Sequence, residues 1–303
     1  MTIALQVAGL RKSYGAEEVL RGVDFEVVTG ECFGLLGPNG AGKTTTLKLS
    51  LGLIQPDAGT VRLLGHAFPE EATRARHGVG VVPQFDNLDP DFTVAENLVV
   101  FGRYFGLRGA QIAERIPRLL EFAGHSGRAD ARLHTLSGGM KRRLTLARAL
   151  VNDPAVVFMD EPTTGLDPQA RHLIWERLRR LRAEGKTLVL TTHFMEEAER
   201  LCTRLLVMDR GRVIVQGTPR ALIAEHIEPQ VVEVHGQGLE GWVARAKGLA
   251  PRVELAGETA FCYAADVAPV LASLAGQDEL AYLHRPANLE DVFLKLTGRD
   301  LRD

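Results

Sequence analysis

The chain has 303 residues, with 36 Lys and Arg against 38 Asp and Glu, a formal net charge of −2 and 45% apolar residues. This composition is typical of a globular protein with one large or two smaller domains, and its balanced charge argues against a dedicated nucleic-acid binder. The cysteines are odd in number and lie outside any CxxC pair, so neither a disulfide framework nor a zinc site is predicted.

The first two hundred residues alternate short apolar runs with helical segments. The N-terminus lacks the features of a signal peptide, and no stretch approaches the ~20 apolar residues that cross a bilayer, so we expect a cytosolic chain that reaches a membrane only through a partner. Runs that are apolar along their whole length predict a covered parallel sheet, and hence an α/β fold with a helical insertion. The predicted strands are 3–7, 23–28, 32–36, 79–82, 155–159 and 187–191, and the predicted helices are 43–53 and 172–184, with 94–150 mainly helical.

The pattern changes around Gly217-Thr218-Pro219. We therefore predict a first domain over 1–217, with a helical subdomain at about 85–150, and a small α+β accessory domain over 228–303. Within the accessory domain, the order of elements predicts a split βαβ arrangement. Its predicted elements are strand 230–235, helix 240–248, strands 252–256 and 260–264, helix 266–275, strand 280–284 and helix 289–297.

A glycine-rich loop connects the predicted strand 32–36 to the predicted helix 43–53. Its residues Gly37-Pro38-Asn39-Gly40-Ala41-Gly42-Lys43-Thr44 match the pattern GxxxxGK[ST], and Thr45 follows in the same phosphate-binding turn. Glycines let the backbone curl so that N–H groups point at phosphate oxygens. Lys43 reaches the β and γ phosphates, and the Thr44 hydroxyl is suited to Mg²⁺. This context favours a nucleoside triphosphate site over a plain glycine-rich turn.

An acidic pair, Asp160-Glu161, ends the apolar strand 155–159. At the carboxyl end of such a strand, Asp160 is placed to hold Mg²⁺ beside the phosphates, and Glu161 to orient and deprotonate the attacking water. On its own the pair would more simply cap a helix. Together with the glycine-rich loop it predicts a nucleotide site.

A second candidate anion cradle is Ser137-Gly138-Gly139-Met140, followed by a predicted helix over 141–150. Unpaired amides and the helix dipole favour negative charge at such a helix start. The simpler interpretation is a capped helix. Two cradles in one chain suggest a composite site, in which each cradle faces the other half of a homodimer.

In chain order, these motifs resemble those of an ATP-binding-cassette (ABC) ATPase, a P-loop NTPase, over about residues 3–217. Ser137 to Met140 resembles the signature of that family, Asp160-Glu161 its Walker B end and Gly165-Leu166-Asp167 its D-loop. The resemblance implies ATP and Mg²⁺ as cofactors, with hydrolysis of ATP as the reaction.

Three further residues take their expected roles from this resemblance. Gln84 resembles the Q-loop residue, which contacts the metal, and His193 resembles the switch histidine of the catalytic site. Tyr14 matches the aromatic residue that stacks on adenine. Without the family pattern, His193 would be a satisfied histidine at a strand end and Gln84 an ordinary polar loop residue.

A narrower resemblance runs nearly the whole length of the chain. It is to the nodulation-factor export ATP-binding protein I (NodI) family. That family implies export of lipo-chitooligosaccharides, with an ATPase homodimer at the cytoplasmic face of the inner membrane. Two copies of a separate, NodJ-like membrane subunit would handle the cargo. The segments that carry the resemblance are Val82–Asp89, Phe101–Gly106, Arg171–Leu178, Thr192–Glu197 and Asn288–Leu294.

Other functions remain open at this point. One is the ATPase subunit of another ABC-2 type exporter, for a drug, lipid or polysaccharide; another is a soluble cassette ATPase of translation or DNA repair. The single cassette, and the 94 positions between Lys43 and Ser137, argue against the soluble ATPases. No guanine-reading NKxD segment is present, and Glu161 with His193 argues against a module that binds ATP without hydrolysing it.

The segment after Gln84 is where we expect a membrane subunit to dock. Gln84 precedes the helical region 94–150, so it can move those helices when it senses the γ-phosphate or Mg²⁺. We expect residues 85–89 and the apolar residues Phe92, Leu98 and Phe101 to line or support the docking groove. The alternative is that these apolar residues only pack the helical subdomain.

Overall fold

The computed structural model describes residues 2–298. The chain forms two compact units, the first ending at Gln216 and the second beginning at Gly217. Met1 lies outside the described residues, and so do residues 299–303, which are the last five residues of the predicted accessory domain. None of the helices in the described range has the length and apolar character that a membrane crossing requires.

The first unit contains two sheets and the helices between their strands. Its strands are β1 (Ile3–Tyr14), β2 (Glu17–Val28), β3 (Cys32–Leu36), β4 (Ala58–Leu63), β5 (His66–Ala67), β6 (Val79–Val82), β7 (Val156–Asp160), β8 (Thr187–Thr192), β9 (Arg204–Asp209) and β10 (Arg212–Gly217). Its helices are α1 (Lys43–Ser50), α2 (Ala72–His77), α3 (Val94–Tyr104), α4 (Gly109–Ala123), α5 (Gly138–Ala149), α6 (Pro168–Ala183) and α7 (Met195–Leu201), with a 3₁₀ turn at Leu133–Thr135.

The larger sheet is built around parallel strands, in the order β10-β9-β3-β8-β7-β6. β3 pairs in parallel with β8 and β9, and β7 pairs in parallel with β6 and β8. β3, β7 and β8 are buried along their whole length, as their continuous apolar runs predicted. Parallel strands end at the same edge, so the segments that follow β3, β6, β7 and β8 meet there.

A second sheet, in the order β2-β1-β4-β5, shares its hydrophobic core with the first. The ring of Phe25 on β2 stacks on that of Phe33 on β3, with centroids 5.4 Å apart. Leu5 and Leu63 on β1 and β4 lie in the same core. This packing fixes the position of β3, and therefore of the glycine-rich loop that follows it.

Residues 94–150 are mainly helical, as predicted. A capping box begins α3, because Thr93 Oγ1 accepts from the N–H of Glu96 at 3.2 Å and Glu96 Oε2 accepts from the N–H of Thr93 at 2.7 Å. Ser137 is the N-cap of α5. These caps fix where α3 begins, after the loop that follows Gln84, and where α5 begins.

The second unit has the predicted split βαβ order, with an additional helix before its first strand. Its sheet is antiparallel, in the order β12-β13-β11-β14. Trp242, Val270 and Val232 lie in one core between helices and sheet. The elements are α8 (Pro219–His226), β11 (Gln230–Gly236), α9 (Leu239–Ala246), β12 (Arg252–Ala256), β13 (Thr259–Ala264), α10 (Ala268–Leu274), β14 (Leu280–Pro286) and α11 (Leu289–Thr297).

Several predicted boundaries differ from the structure. α1 ends at Ser50 rather than at residue 53. α6 begins at Pro168 rather than at residue 172, because Asp167 caps it and proline is well suited to a first helical turn. β4, β5, β9 and β10 were not predicted, nor were the short helices α2, α7 and α8. β10 alternates between exposed and half-buried residues, so it has no continuous apolar signal.

Candidate active site

The glycine-rich loop joins the end of β3 to the first turn of α1. Gly40 and Gly42 have φ values of 79° and 100°, and a Cβ atom on Gly42 would lie 2.5 Å from Leu20 Cδ2. On Gly37, a Cβ atom would lie 2.3 Å from the carbonyl oxygen of Met208. The loop can therefore adopt this tight curve only with glycine at these positions. The first N–H groups of α1 have no acceptor within the helix and are available to an anion.

Lys43, the first residue of α1, is only 5% exposed. Its Nζ donates to the carbonyl oxygens of Gly37 at 2.8 Å and Pro38 at 3.0 Å, and lies 3.8 Å from Glu161 Oε1. Burial lowers the pKa of Lys43, and the carboxylates of Glu161 and Asp160 oppose this effect. A phosphate oxygen can replace the neutral carbonyl acceptors with a charged one, which would give stronger hydrogen bonds.

Two consecutive buried carboxylates stand at the end of β7. Asp160 Oδ1 accepts from Thr44 Oγ1 at 3.1 Å and from Thr191 Oγ1 at 2.5 Å. Glu161 has a φ of 46°, and its N–H is within hydrogen-bonding distance of both the carbonyl oxygen and Oγ1 of Thr191. A left-handed conformation costs free energy for a residue other than glycine, so these contacts from β8 hold Glu161 in a strained backbone conformation.

The Glu161 side chain contacts the other candidate catalytic residues. Its Oε1 lies 3.2 Å from His193 Nδ1, and its Oε2 accepts from Gln84 Nε2 at 3.2 Å and from Thr164 Oγ1 at 3.1 Å. His193 makes the largest contribution to lowering the pKa of Glu161, with a further contribution from Lys43. The carboxylate is therefore ionised at neutral pH, which is the form that can accept a proton from water.

Lys43, Gln84 and Glu161 line a cavity of about 260 Å³, whereas Asp160 and His193 contact its lining residues from outside. The cavity includes the glycine-rich loop, the candidate metal-binding hydroxyl, the Q-loop candidate and the candidate base. Two residues of β2 also line it, which sequence reasoning did not identify. The lining residues are Glu17, Val19, Asn39, Gly40, Ala41, Gly42, Lys43, Thr44, Thr45, Gln84 and Glu161.

The structure does not bring every predicted site residue to this cavity. Ser137 and Gly138 are exposed at the N-terminus of α5, and Ser137 Oγ accepts from the N–H of Met140 at 3.4 Å. Gly139 is half-buried, and a Cβ atom there would lie 2.9 Å from the Cβ of Ala170. Neither this segment nor Tyr14, which is 50% exposed, lines the cavity of its own chain.

The oxygen atoms around Asp160 suit Mg²⁺ but do not enclose it. Thr44 Oγ1 and Asp160 Oδ1 are 3.1 Å apart, and both are hard oxygen ligands. Between residues 2 and 298, no group of three or more His, Cys, Asp or Glu residues could hold a metal ion. Mg²⁺ commonly binds through one or two carboxylates together with substrate phosphates, so this incomplete ligand set fits a metal that arrives with a nucleotide.

Thr191 and Thr164 are functional candidates that sequence reasoning missed. Thr191 orients both Asp160 and the backbone of Glu161, and Thr164 donates to the Glu161 carboxylate. Thr191 lies in the predicted strand 187–191, and its strand-end position next to His193 was the available signal. Hydroxyl residues are common at strand ends, so the sequence did not distinguish this one.

A groove of about 250 Å³ lies beside α3, on the same unit. Of the residues predicted for a docking groove, Phe101 lines it, whereas residues 85–89 and Phe92 do not, although Phe85 is 79% exposed. Leu98 is fully buried, so it packs the interior and can only support the groove. Tyr104, 79% exposed, was not predicted to belong to the groove. The lining residues are Thr73, Arg76, His77, Val79, Val81, Phe101, Tyr104 and Phe105.

Comparisons with known proteins agree with the α/β fold of the first unit and with a phosphate-binding role for the glycine-rich loop. Residues 20–164 match the family model described as ABC transporter, and residues 240–298 match the one described as nodulation factor export protein NodI, C-terminal domain. A solved ATP-binding subunit of an ABC transporter is 32% identical, with a TM-score of 0.67 over 73% of this chain and 92% of its own. The ATP-binding cassette MJ0796, solved as a dimer with ADP and Pi, is 28% identical, with a TM-score of 0.64 over 71% and 98% of the two chains.

Curated relatives match over the full length of the chain. Nod factor export ATP-binding protein I of Ralstonia nicotianae is 63% identical and covers all of this chain and 96% of its own. The protein of the same name from Mesorhizobium japonicum is 58% identical, over all of this chain and 89% of its own. The chain is thus an ABC transporter ATP-binding subunit, which binds ATP and couples its hydrolysis to transport. It belongs to the family of Nod factor export ATP-binding protein I.

Proposed function

We propose that this subunit powers the export of lipo-chitooligosaccharide Nod factors from the cytoplasmic face of the inner membrane. The observation that carries this proposal is the match of residues 240–298 to the NodI C-terminal domain, because the ATPase fold alone is shared by transporters of many cargoes. We assign the ATPase function to residues 1–217 and treat 228–303 as an accessory domain. The membrane subunit, rather than this chain, would contact the cargo.

In this proposal the loop and Lys43 bind the phosphates of ATP. Thr44, Asp160 and Gln84 would hold Mg²⁺, which supplies positive charge to the phosphate oxygens as charge develops on them. Glu161 accepts a proton from the attacking water, and its ionised state supports this role. The contact of His193 with Glu161 supports a role in orienting that carboxylate. Tyr14 would stack on adenine.

The exposed helix start at Ser137, Gly138 and Gly139 supports a composite site. These residues lie at the N-terminus of α5, where free N–H groups favour an anion, yet they are absent from the cavity of their own chain. We infer that they contact the γ-phosphate bound by a second copy. The working unit would then be a homodimer bound to two copies of a NodJ-like membrane subunit.

The groove at Phe101, Tyr104 and Phe105 is the surface that we assign to the membrane subunit. Exposed aromatic side chains next to a groove are typical of protein contacts. The segment 84–89 connects this region to the candidate catalytic site. Movement of Gln84 during hydrolysis could therefore reach the bound subunit directly.

Reconstitution would test the proposed cargo. The chain would be co-purified with its NodJ-like membrane subunit, placed in liposomes and assayed for ATP hydrolysis with a lipo-chitooligosaccharide. We expect stimulation by this compound and none by chitooligosaccharide without its acyl chain. Stimulation by an unrelated drug, lipid or polysaccharide instead would identify another ABC-2 type exporter.

A charge in the groove would test the docking surface separately. Tyr104→Glu should abolish co-purification with the membrane subunit and leave ATP binding by the isolated chain unchanged. Leu53→Glu is a matched control, because Leu53 is also an exposed apolar residue of the first unit, at 59%, but lies outside the groove. Retention of the membrane subunit by Tyr104→Glu would contradict this assignment.

A further inference from the structure

Arg142 connects α5, the helix that begins at Ser137, to the two loops that carry the candidate catalytic residues Gln84 and Glu161. It lies on α5, one turn after Gly138 and Gly139, and is only 5% exposed. The roles proposed for the glycine-rich loop and for Asp160-Glu161 do not explain why an arginine is buried at this position of α5. A buried guanidinium needs acceptors for its N–H groups, and their identity defines its function.

Those acceptors are backbone carbonyl oxygens of two segments that follow neighbouring strands. Nε donates to Pro162 at 2.7 Å, and Nη2 donates to Asp160 at 3.3 Å and Glu161 at 3.1 Å. Nη1 donates to Pro83 at 2.5 Å and to Gln84 at 3.3 Å. One side chain from α5 therefore holds the backbone of Gln84 after β6 and of Glu161 after β7.

Two neighbouring contacts strengthen the link to the segment after Gln84. Arg142 Nη1 lies 3.7 Å from Asp86 Oδ1, which also accepts from Thr145 Oγ1 at 3.1 Å. One turn further along α5, Arg148 donates to the carbonyl oxygen of Asn87 at 2.7 Å. The segment that leads to the groove is thus tied to the same face of α5.

Backbone position matters at both anchored residues. Glu161 is held at a φ of 46°, a conformation that persists only where its surroundings impose it, and Arg142 bonds to its carbonyl oxygen. Gln84 reaches Glu161 with a single 3.2 Å hydrogen bond. A small displacement of α5 would move both groups, and a shift of about 1 Å in a catalytic group can cost ~10²-fold in rate.

We propose that Arg142 is a positioning residue that transmits the position of the Ser137–Gly139 helix start to Gln84 and Glu161 together. Binding of the γ-phosphate to that helix start would then align the residue that senses the metal and the one that activates water in a single movement. This inference rests on the roles proposed above for Gln84, Glu161 and the composite site. It adds a physical connection between them.

Arg142→Lys tests the proposal in the full-length chain. Lysine keeps the positive charge, but its ammonium donates from a single point and cannot bridge both segments as the planar guanidinium does. We expect kcat for ATP to fall by about 10- to 100-fold. KM should stay within about threefold, because the phosphate loop is untouched. Arg143→Lys is the matched control, since Arg143 donates to Ala123 within the helical region, and it should keep the wild-type kcat.

Hydrogen exchange provides a readout that a merely structural arginine would not change. In the wild type, ATP should protect amides in both 84–89 and 138–149. In Arg142→Lys, the ATP-dependent protection of 84–89 should be lost, while that of 43–50 in α1 is retained. If Arg142→Lys fails to fold, Arg142→Gln provides the same comparison.

A wild-type kcat, or an unchanged exchange response at 84–89, would overturn the positioning role. A fall in kcat with an equal loss of nucleotide binding would also overturn it, because that pattern indicates general disruption. Failure of the proposed active site is distinguishable from these results. In that case Glu161→Gln itself would leave hydrolysis unchanged.

Discussion

The candidate active site of the first unit and an ion-pair cluster of the second unit use buried charge in opposite ways. In the first unit, Lys43 is held by two neutral carbonyl groups and lies 3.8 Å from its nearest carboxylate. In the second, Asp291 accepts from Arg285 Nη1 at 2.7 Å and Nη2 at 2.9 Å, from Tyr263 Oη at 3.2 Å and from the N–H of Asn288 at 2.9 Å. Within residues 2–298, Lys43 therefore has no close ion-pair partner, whereas both carboxylate oxygens of Asp291 accept hydrogen bonds from Arg285.

The pKa directions follow the same contrast. Burial lowers the pKa of Lys43, and nearby carboxylates only partly offset it. Burial also lowers the pKa of Arg285, but hydrogen bonds to Asp291 and Glu233 outweigh this effect and raise it. The charge of Lys43 is therefore free to exchange partners with a ligand. The ion pair of Arg285 with Asp291 and Glu233 fixes α11 against β11 and β14, and serves the fold.

The largest effect that we expect is on ATP hydrolysis, from a substitution in the first unit. Glu161→Gln keeps the shape of the side chain and removes only its ability to accept a proton, so hydrolysis should slow by about 10²–10⁴-fold. ATP should still bind, and the variant should accumulate as an ATP-bound dimer. Single-turnover hydrolysis and size-exclusion chromatography with ATP would measure both effects. Hydrolysis at the wild-type rate would show that Glu161 is not the base.

In the second unit, the equivalent change should affect folding and leave catalysis unchanged. Asp291→Ala removes the bidentate partner of the half-buried Arg285 and leaves it with Glu233, so the free energy of unfolding should fall by about 3 kcal/mol. Hydrogen exchange should show faster opening of β11 (Gln230–Gly236) and no change in β3 (Cys32–Leu36). The exposed Asp278→Ala is the matched control. If Asp291→Ala also lost ATP hydrolysis, the ion pair between Asp291 and Arg285 would not be purely structural.

The composite site gives a smaller but more specific effect. Lys43→Ala removes the phosphate-loop charge, and Ser137→Arg blocks the opposing helix start, so each variant alone should be inactive. A mixed dimer of the two would contain one site with both defects and one intact site. Random mixing should then restore about a quarter of the wild-type sites. No recovery on mixing, with dimers verified by crosslinking, would contradict the sandwich arrangement.

How far the sequence predicts the molecule differs between these regions. The order of elements in the second unit followed from local alternation and turns, and the structure confirms it. β10 was missed because it is an edge strand that alternates between exposed and half-buried residues, and the buried strand β9, with which it pairs, was missed with it. The glycine-rich loop was predictable because backbone geometry demands glycine there. Arg142 and Thr191 were not, because their partners lie on other elements far along the chain.

The smallest expected effect concerns the protonation of Glu161. His193 is the largest cause of its lowered pKa, so His193→Ala should raise the pKa of Glu161 towards its ordinary value of 4.5. The carboxylate would then take up a proton at a higher pH than in the wild type. Any stability gained by ionising Glu161 is present above pH 4.5 and is lost as the pH falls through the lowered folded value, so this window should shrink in the variant.

Carboxyl-carbon NMR on protein labelled at Glu side chains would measure this shift without relying on activity. Thr164→Val is the matched comparison, because Thr164 also donates to Glu161 but contributes less to lowering its pKa. The shift should be larger for His193→Ala than for Thr164→Val, and both should be upward. An unchanged or lowered pKa in His193→Ala would mean that Lys43 and Thr164 hold the carboxylate ionised, leaving His193 free for another role.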